Sequence, residues 1–380
     1  MIFGLHKRAI PNWWIYRRGI RRRFPAPDHS DRVAIFKPDR LGDFVLAIGA
    51  IRRIVDSIGA HRCVLLISKF SREMAAREFP TVEILEVPYL SWRLWETRRG
   101  LHELVGHPVF RSGVDRLVCL RHHRFPHEDL ICAAIPARLS VGSRHTSLGT
   151  PPGELIRRRL EFDHCVASPK VIEGQCEELG WHAAVVASFL GQPIGLDEIL
   201  PVLGPQRPAA TDPWITVSPF GSAQIRDLPE PLLVAAAVES SRRGLGLRLA
   251  SPAGDEARFN ALAGRLREAA PQAISVTVQA TPKLEDLISL LKASRLVITA
   301  ETATAHLATA LDCPTITVVG GGHYGIFSPW HRSSQQQWLV NRVPCFGCHW
   351  ECHLPAPLCI TGVSNTQLLN AFSQILGFHP

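Results

Sequence analysis

Arg32-Val-Ala-Ile-Phe-Lys-Pro-Asp-Arg-Leu-Gly-Asp-Phe-Val-Leu-Ala-Ile-Gly-Ala-Ile-Arg-Arg-Ile-Val-Asp-Ser57 decides how the chain is read. Val33 to Phe36 is a short apolar run of the kind that forms a buried strand. Lys37 to Gly42 is a polar turn. Phe44, Ile48, Ile51 and Val55 then recur at helical spacing, with Asp43 where that helix begins. Strand, turn and helix in this order are the unit of an open α/β sheet, and such sheets bind ligands at these turns. Two readings of Asp43 stay open at this point: a helix cap or a carboxylate that faces a ligand.

The same alternation continues outward. Strands are expected at Cys63–Ile67, Val82–Val87, Val114–Leu120 and Arg138–Val141, and helices at Lys69–Phe79, Trp92–Gly106 and Val171–Leu190. Gly142 to Asp163 reads as loop. Residues 191–213 hold Pro193, Pro201, Pro205, Pro208 and Pro213 and read as an interdomain linker. Beyond it strands are expected at Trp214–Ser218, Gly246–Ala250, Ile274–Val278, Arg295–Thr299 and Thr315–Val319, with helices between them. Repeated strand–helix units call for parallel sheets covered on both faces. The organisation expected is a domain over 31–190, the linker, a second domain over 214–362 and a closing segment over 363–380 with a helix at Thr366–Leu376.

The 380 residues suffice for two domains, and no apolar run is long enough to span a bilayer. Met1 to Leu5 is too short for a signal-peptide core, and Pro11, Asn12 and Arg17 interrupt the stretch after it, so a cytoplasmic protein is expected. The formal net charge of +8 suits a protein that meets anions. Residues 1–30 form a tail with Trp13, Trp14, Ile15 and Tyr16 among arginines, which suits an anionic membrane surface. Nothing else resembles a nucleic-acid-binding module, so no nucleic acid is expected as partner. Ten cysteines in a chain of this length do not make a secreted disulfide scaffold.

Four segments could carry chemistry. Ser218-Pro-Phe-Gly-Ser222 closes a strand, and small residues there let backbone amides approach a phosphate. Arg226, four residues on, reaches the same anion. Ala300-Glu301-Thr302-Ala303-Thr304-Ala305-His306 comes after another strand, with Thr302 and His306 one helical turn apart. These either hold a diphosphate, or Thr302 caps the helix and His306 packs beneath it. Gly320-Gly321-Gly322 allows close backbone approach to a ligand, but the residues after it do not form a dinucleotide fingerprint. Cys345, Cys348, Cys352 and Cys359 have spacings that close a structural zinc site, with disulfides or reduced thiols as the other readings.

Taken in order, these segments resemble glycosyltransferase family 9, the lipopolysaccharide heptosyltransferases, from about Arg32 to Phe372. Asp39-Arg40-Leu41-Gly42-Asp43, the Gly221-Ser222 loop with Arg226 and Leu228-Pro229, and the run ending in His306-Leu-Ala-Thr-Ala-Leu311 carry the likeness. The resemblance implies a GT-B architecture, two Rossmann-like doubly wound domains facing a cleft, with a final helix packed back on the first domain. It implies inverting transfer of a heptose-like sugar from a nucleoside-diphosphate sugar such as ADP-heptose to a lipopolysaccharide-core or related glycolipid acceptor, with no cofactor required. Asp43 is then the general base. Ser222, Arg226, Glu301, Thr302, Ala303, His306 and Gly321 bind the donor, and Lys37 and Arg40 the acceptor. Glu301-Thr302-Ala303 departs from the family's usual Asp-Thr-Gly, and Arg226 from its frequent lysine. A non-catalytic relative that binds nucleotide-sugar or glycan is the alternative.

Overall fold

The computed structural model describes residues 31–87, 103–122, 124, 126–143, 162–167, 176–204, 212–271 and 275–377. The tail 1–30 and the greater part of the helix expected over Trp92 to Gly106 lie outside them. The chain divides into two units, one formed by Met1–Lys170 and Glu177–Pro201, the other by Val171–Cys176 and Val202–Pro380.

The first unit is built on β1 (Val33–Lys37), β2 (Cys63–Ser68), β3 (Glu83–Val87), β4 (Val114–Cys119), β5 (Ala137–Ser143) and β6 (His164–Val166). They pair in parallel in the order β3-β2-β1-β4-β5-β6. Every residue of β1 is buried, as a central strand covered on both faces requires. Helices α1 (Leu41–Ile58), α2 (Arg72–Glu78), α3 (Pro108–Arg111), α4 (Pro126–Ala133), α5 (Glu177–Leu190) and α6 (Leu196–Ile199) complete the unit. Of the expected period of α1, Phe44, Ile48 and Ile51 are fully buried, while Val55 is half-buried and its neighbour Ile54 takes the buried place. Each such side chain contributes roughly 1.5–3 kcal/mol by leaving water.

Helix α6 lies inside the stretch expected to be linker, and Gly49 explains why it is ordered. A Cβ at Gly49 would sit 2.0 Å from the Ile199 carbonyl oxygen, so α1 meets the backbone of α6 directly. Gly49→Ala is expected to lower stability by about 2–3 kcal/mol, since backbone cannot move aside as a side chain can. A shift of the urea midpoint at unchanged slope checks this.

The second unit repeats the plan with β7 (Trp214–Ser218), β8 (Gly246–Pro252), β9 (Val276–Thr281), β10 (Leu296–Ala300), β11 (Thr315–Val318) and β12 (Gln336–Leu339). All pairs are parallel and the order is β12-β11-β10-β7-β8-β9. Its helices are α7 (Glu230–Arg242), α8 (Glu256–Ala269), α9 (Leu284–Ala293), α10 (Ala303–Ala310), α11 (Leu358–Thr361) and α12 (Asn365–Leu376). In both sheets the first strand lies between the second and the fourth, the doubly wound order whose ligand crevice opens beyond the carboxyl ends of the central pair. That places Lys37 to Asp43 and Leu120 to His122 at one such edge, and Ser218 to Arg226 and Ala300 to His306 at the other. The closing helix was expected on the first domain. Within the second unit it buries Leu368, Ala371 and Phe372 in the core, beside α7.

Candidate active site

At the carboxyl end of β1 the chain buries charge. Lys37 is fully buried, and its ammonium donates to the Leu120 carbonyl at 2.9 Å and to Glu178 Oε1 at 2.8 Å, and pairs with Asp39 Oδ2 at 3.1 Å. His182 Nε2 stands a further 3.4 Å from the ammonium. Lys37 is thus enclosed by protein groups, which gives it a structural role where acceptor binding was expected. Burial works to raise the Glu178 carboxyl, but the Lys37 charge and His182 outweigh it and hold Glu178 well below the usual carboxylate range. Burial and then Lys37 push His182 down, so it stays neutral.

Asp39 carries this network into the turn. Its second carboxylate oxygen pairs with Arg121, which is also bound to Glu128 at 3.2 Å. The Asp39 carbonyl accepts from Ser71 Oγ at 2.9 Å and from Ser68 Oγ. The turn is therefore fixed from β2, β4 and α5 before α1 begins. Arg40 takes the N-cap position of α1 without a side-chain cap bond. It is exposed, with its guanidinium carbon 5.9 Å from the centre of the Phe70 ring. Asp43 is third in the helix, half-buried, in its acidic first turn. The cap position is thus not Asp43's. Its carboxylate lies where the helix dipole favours negative charge.

In the second unit the loop after β7 closes on itself. Leu228 N donates to the Pro219 carbonyl at 2.8 Å and Gly221 N to Asp227 Oδ1 at 2.9 Å, while Arg258 binds the other Asp227 oxygen at 2.5 Å. Ser222 is exposed at the tip. The helix expected directly after this loop begins only at Glu230, after a single turn at Gln224–Arg226. The amide of Gly221 and the dipole of α7 are therefore not what this loop offers an anion. It offers Arg226, whose guanidinium carbon stands 4.6 Å from the Trp350 ring centre and whose buried Nε makes no hydrogen bond.

Beyond β10, Thr302 is the N-cap of α10 and accepts from Thr304 N at 3.2 Å, with Ala303 next as the first helical residue. Glu301 is buried and accepts from Ser328 Oγ. His306 is buried, and its Nδ1 accepts from Trp330 Nε1 at 3.0 Å. An indole only donates, so the proton of the neutral imidazole sits on Nε2. Burial lowers the His306 pKa to about 4. Capping by Thr302 and packing by His306 are thus both realised, and the Nε2–H remains as the ring's donor.

A folded-state pKa below the ordinary 6.5 makes stability rise with pH between about 4 and 6.5 and level off above. The unfolded chain takes up a proton in that window and the folded chain does not. The expected loss below pH 4 is at most about 3 kcal/mol. Urea titrations of wild type and His306→Asn across this range check it, and the variant should lack this part of the slope.

The Gly320-Gly321-Gly322 run serves the protein's own aromatics. A Cβ at Gly320 would lie 2.1 Å from Trp350 Cη2, one at Gly322 2.6 Å from Trp350 Cδ2, and one at Gly321 2.7 Å from Phe346 Cδ2. Gly321 was expected to admit a donor; its open face admits Phe346. The four clustered cysteines are all unpaired and line one small cavity with Ile225 and Trp350. Among the described residues no three His, Cys, Asp or Glu side chains are grouped to hold a metal ion.

Residues 210–353 match the profile of glycosyltransferase family 9 (heptosyltransferase). The chain carries a family 9 glycosyltransferase domain. By that domain it is an enzyme of the glycosyltransferase class, as the motifs implied. Searching the curated proteins gives no match. Among solved structures, the heptosyltransferase WaaC of E. coli with ADP is 16% identical, with a TM-score of 0.60 over 81% of this chain and 92% of that one. The family 9 glycosyltransferase of Veillonella parvula is 12% identical, with a TM-score of 0.68 over 92% and 99%. The iron-containing dodecameric glycosyltransferase TibC of enterotoxigenic E. coli is 12% identical, with a TM-score of 0.51 over 93% and 77%. These likenesses establish the GT-B fold. The family 9 domain spans the Arg226 loop, the Glu301–His306 segment, the glycine run and Trp350. Sequence reasoning gave no role to Asp39, which it quoted only as part of a motif, nor to Arg121, Glu178 and Trp350. Only Asp39 and Arg121 had a signal, each just past the carboxyl end of a strand at the point where strand order reverses.

Proposed function

We propose that the enzyme transfers a heptose-like sugar from a nucleoside-diphosphate sugar to a hydroxyl of a lipopolysaccharide-core or related glycan acceptor, with inversion at the anomeric carbon. Asp43 carries the proposal: a carboxylate in the first turn of α1, at the carboxyl edge of a doubly wound sheet, on a turn fixed by Lys37 and Arg121. It takes the proton of the acceptor hydroxyl as that oxygen bonds to the anomeric carbon. The bond to the diphosphate breaks, and the charge released there is met by the guanidinium of Arg226 and the Nε2–H of His306. Ser222, Thr302 and the Glu301–Ala303 turn complete the donor contacts, and Arg40 contacts the acceptor. No step is routed through a metal. The ADP in the WaaC structure supports an adenosine diphosphate donor.

The basic and aromatic tail 1–30 holds the enzyme to the anionic inner face of the membrane. Among the described residues no helix is long and apolar enough to cross it. Turnover tests the proposal: ADP should be released from ADP-heptose only when acceptor glycan is present. Donor binding without release on any glycolipid acceptor would instead favour a non-catalytic sugar-nucleotide-binding relative.

A further inference from the structure

The guanidinium carbon of Arg226 lies over the Trp350 ring, 4.6 Å from its centre, and that ring is held from several sides. Trp350 fills the space left by Gly320 and Gly322, and its Nε1 donates to His323 Nδ1 at 3.1 Å. Its segment is tied to the same glycines through the backbone, Gly347 N to the Gly321 carbonyl at 2.8 Å and His349 N to the Gly322 carbonyl at 3.1 Å. On the other side, a Cβ at Gly221 would lie 2.6 Å from Arg226 Cβ, so the loop also presses the arginine stem into place. A planar cation stacked on an indole face is oriented without spending its N–H groups. Those groups lie in the guanidinium's own plane, the fork that two phosphate oxygens accept.

We infer that Trp350 is a positioning residue for donor binding: it holds the Arg226 guanidinium ready for the diphosphate of the nucleotide-sugar. The inference rests on the donor role proposed for Arg226. It assigns the segment after the glycine run a function of its own, as the back wall of the anion site.

A double-mutant cycle on the full chain tests it, with ADP as the probe in calorimetric titration. Trp350→Leu and Trp350→Phe both lose the bond to His323, but only the second keeps a π face. Arg226→Ala should weaken ADP binding by tenfold or more. Trp350→Leu should weaken it about tenfold, and Trp350→Phe by about threefold or less. In the Arg226→Ala background, Trp350→Leu should change affinity by less than twofold. In turnover the Trp350→Leu loss should fall on the donor KM, with kcat within about twofold. If Arg226→Ala weakens ADP while Trp350→Leu does not, or if the Leu effect is the same with and without Arg226, Trp350 does not act through the arginine and the inference falls alone. If Arg226→Ala leaves ADP affinity unchanged, the donor role of Arg226 falls, and the inference with it. Thermal melts within a few degrees of wild type establish that each variant compared is folded.

Discussion

Asp43→Asn should lower the transfer rate by about 10²–10⁴ while ADP-sugar binding stays within about twofold of wild type. The amide keeps the size of the carboxylate and cannot accept the acceptor proton. The fold should survive, because the amide keeps the carboxylate's shape and acceptor oxygen, the lost helix-dipole term is only about 0.3–1 kcal/mol, and the turn before it is held by other residues. Asp39 is gripped by Lys37 and Arg121, and its carbonyl by Ser68 and Ser71. Rate loss at constant donor affinity and near-constant melting temperature is the signature of a base. Full activity in the variant would remove Asp43 from the chemistry.

Lys37→Met should produce the largest stability loss in the first unit, about 3–5 kcal/mol. It removes the shared cation from Glu178 and Asp39, both buried. The pH dependence is distinctive. In wild type, Glu178 has a depressed pKa and contributes stability above the ordinary carboxylate pKa, lost as pH falls through the folded value. Without Lys37, burial is left to raise the Glu178 pKa. The deficit of the variant should therefore be largest at neutral pH and shrink as pH falls and the carboxyl takes a proton. Glu178→Gln added to Lys37→Met should recover part of the loss. Had Lys37 been an acceptor contact, as the family resemblance implied, the variant would raise the acceptor KM and leave the urea midpoint alone.

The two sheets were legible because their central strands are apolar on both faces and the helices between them keep a clean period. The edges were not. β12 reads Gln-Gln-Trp-Leu and pairs with a single neighbour, so its composition never had to become apolar. Distance along the chain defeated the reading of Lys37. A lysine at a strand end looks solvated, and the carboxylate that lets it be buried lies 141 residues away. The glycine run misled for the same reason. Glycines permit close approach, but what approaches Gly320 and Gly322 is Trp350. The candidate residues Asp43, Arg226, Thr302 and His306 could be picked out because local order places them just past strand ends. The groups that pack around them or around their turns, Arg121, Glu178, Trp330 and Trp350, come from elsewhere in each unit.

The anomeric configuration of the new linkage tests the central claim most directly. With an α- or β-configured nucleotide-sugar of known stereochemistry and the glycan acceptor, NMR of the product should show the opposite configuration, as one displacement assisted by Asp43 requires. Retention would demand two displacements and a covalent or tight ion-pair intermediate, and would contradict a mechanism in which Asp43 acts as the base.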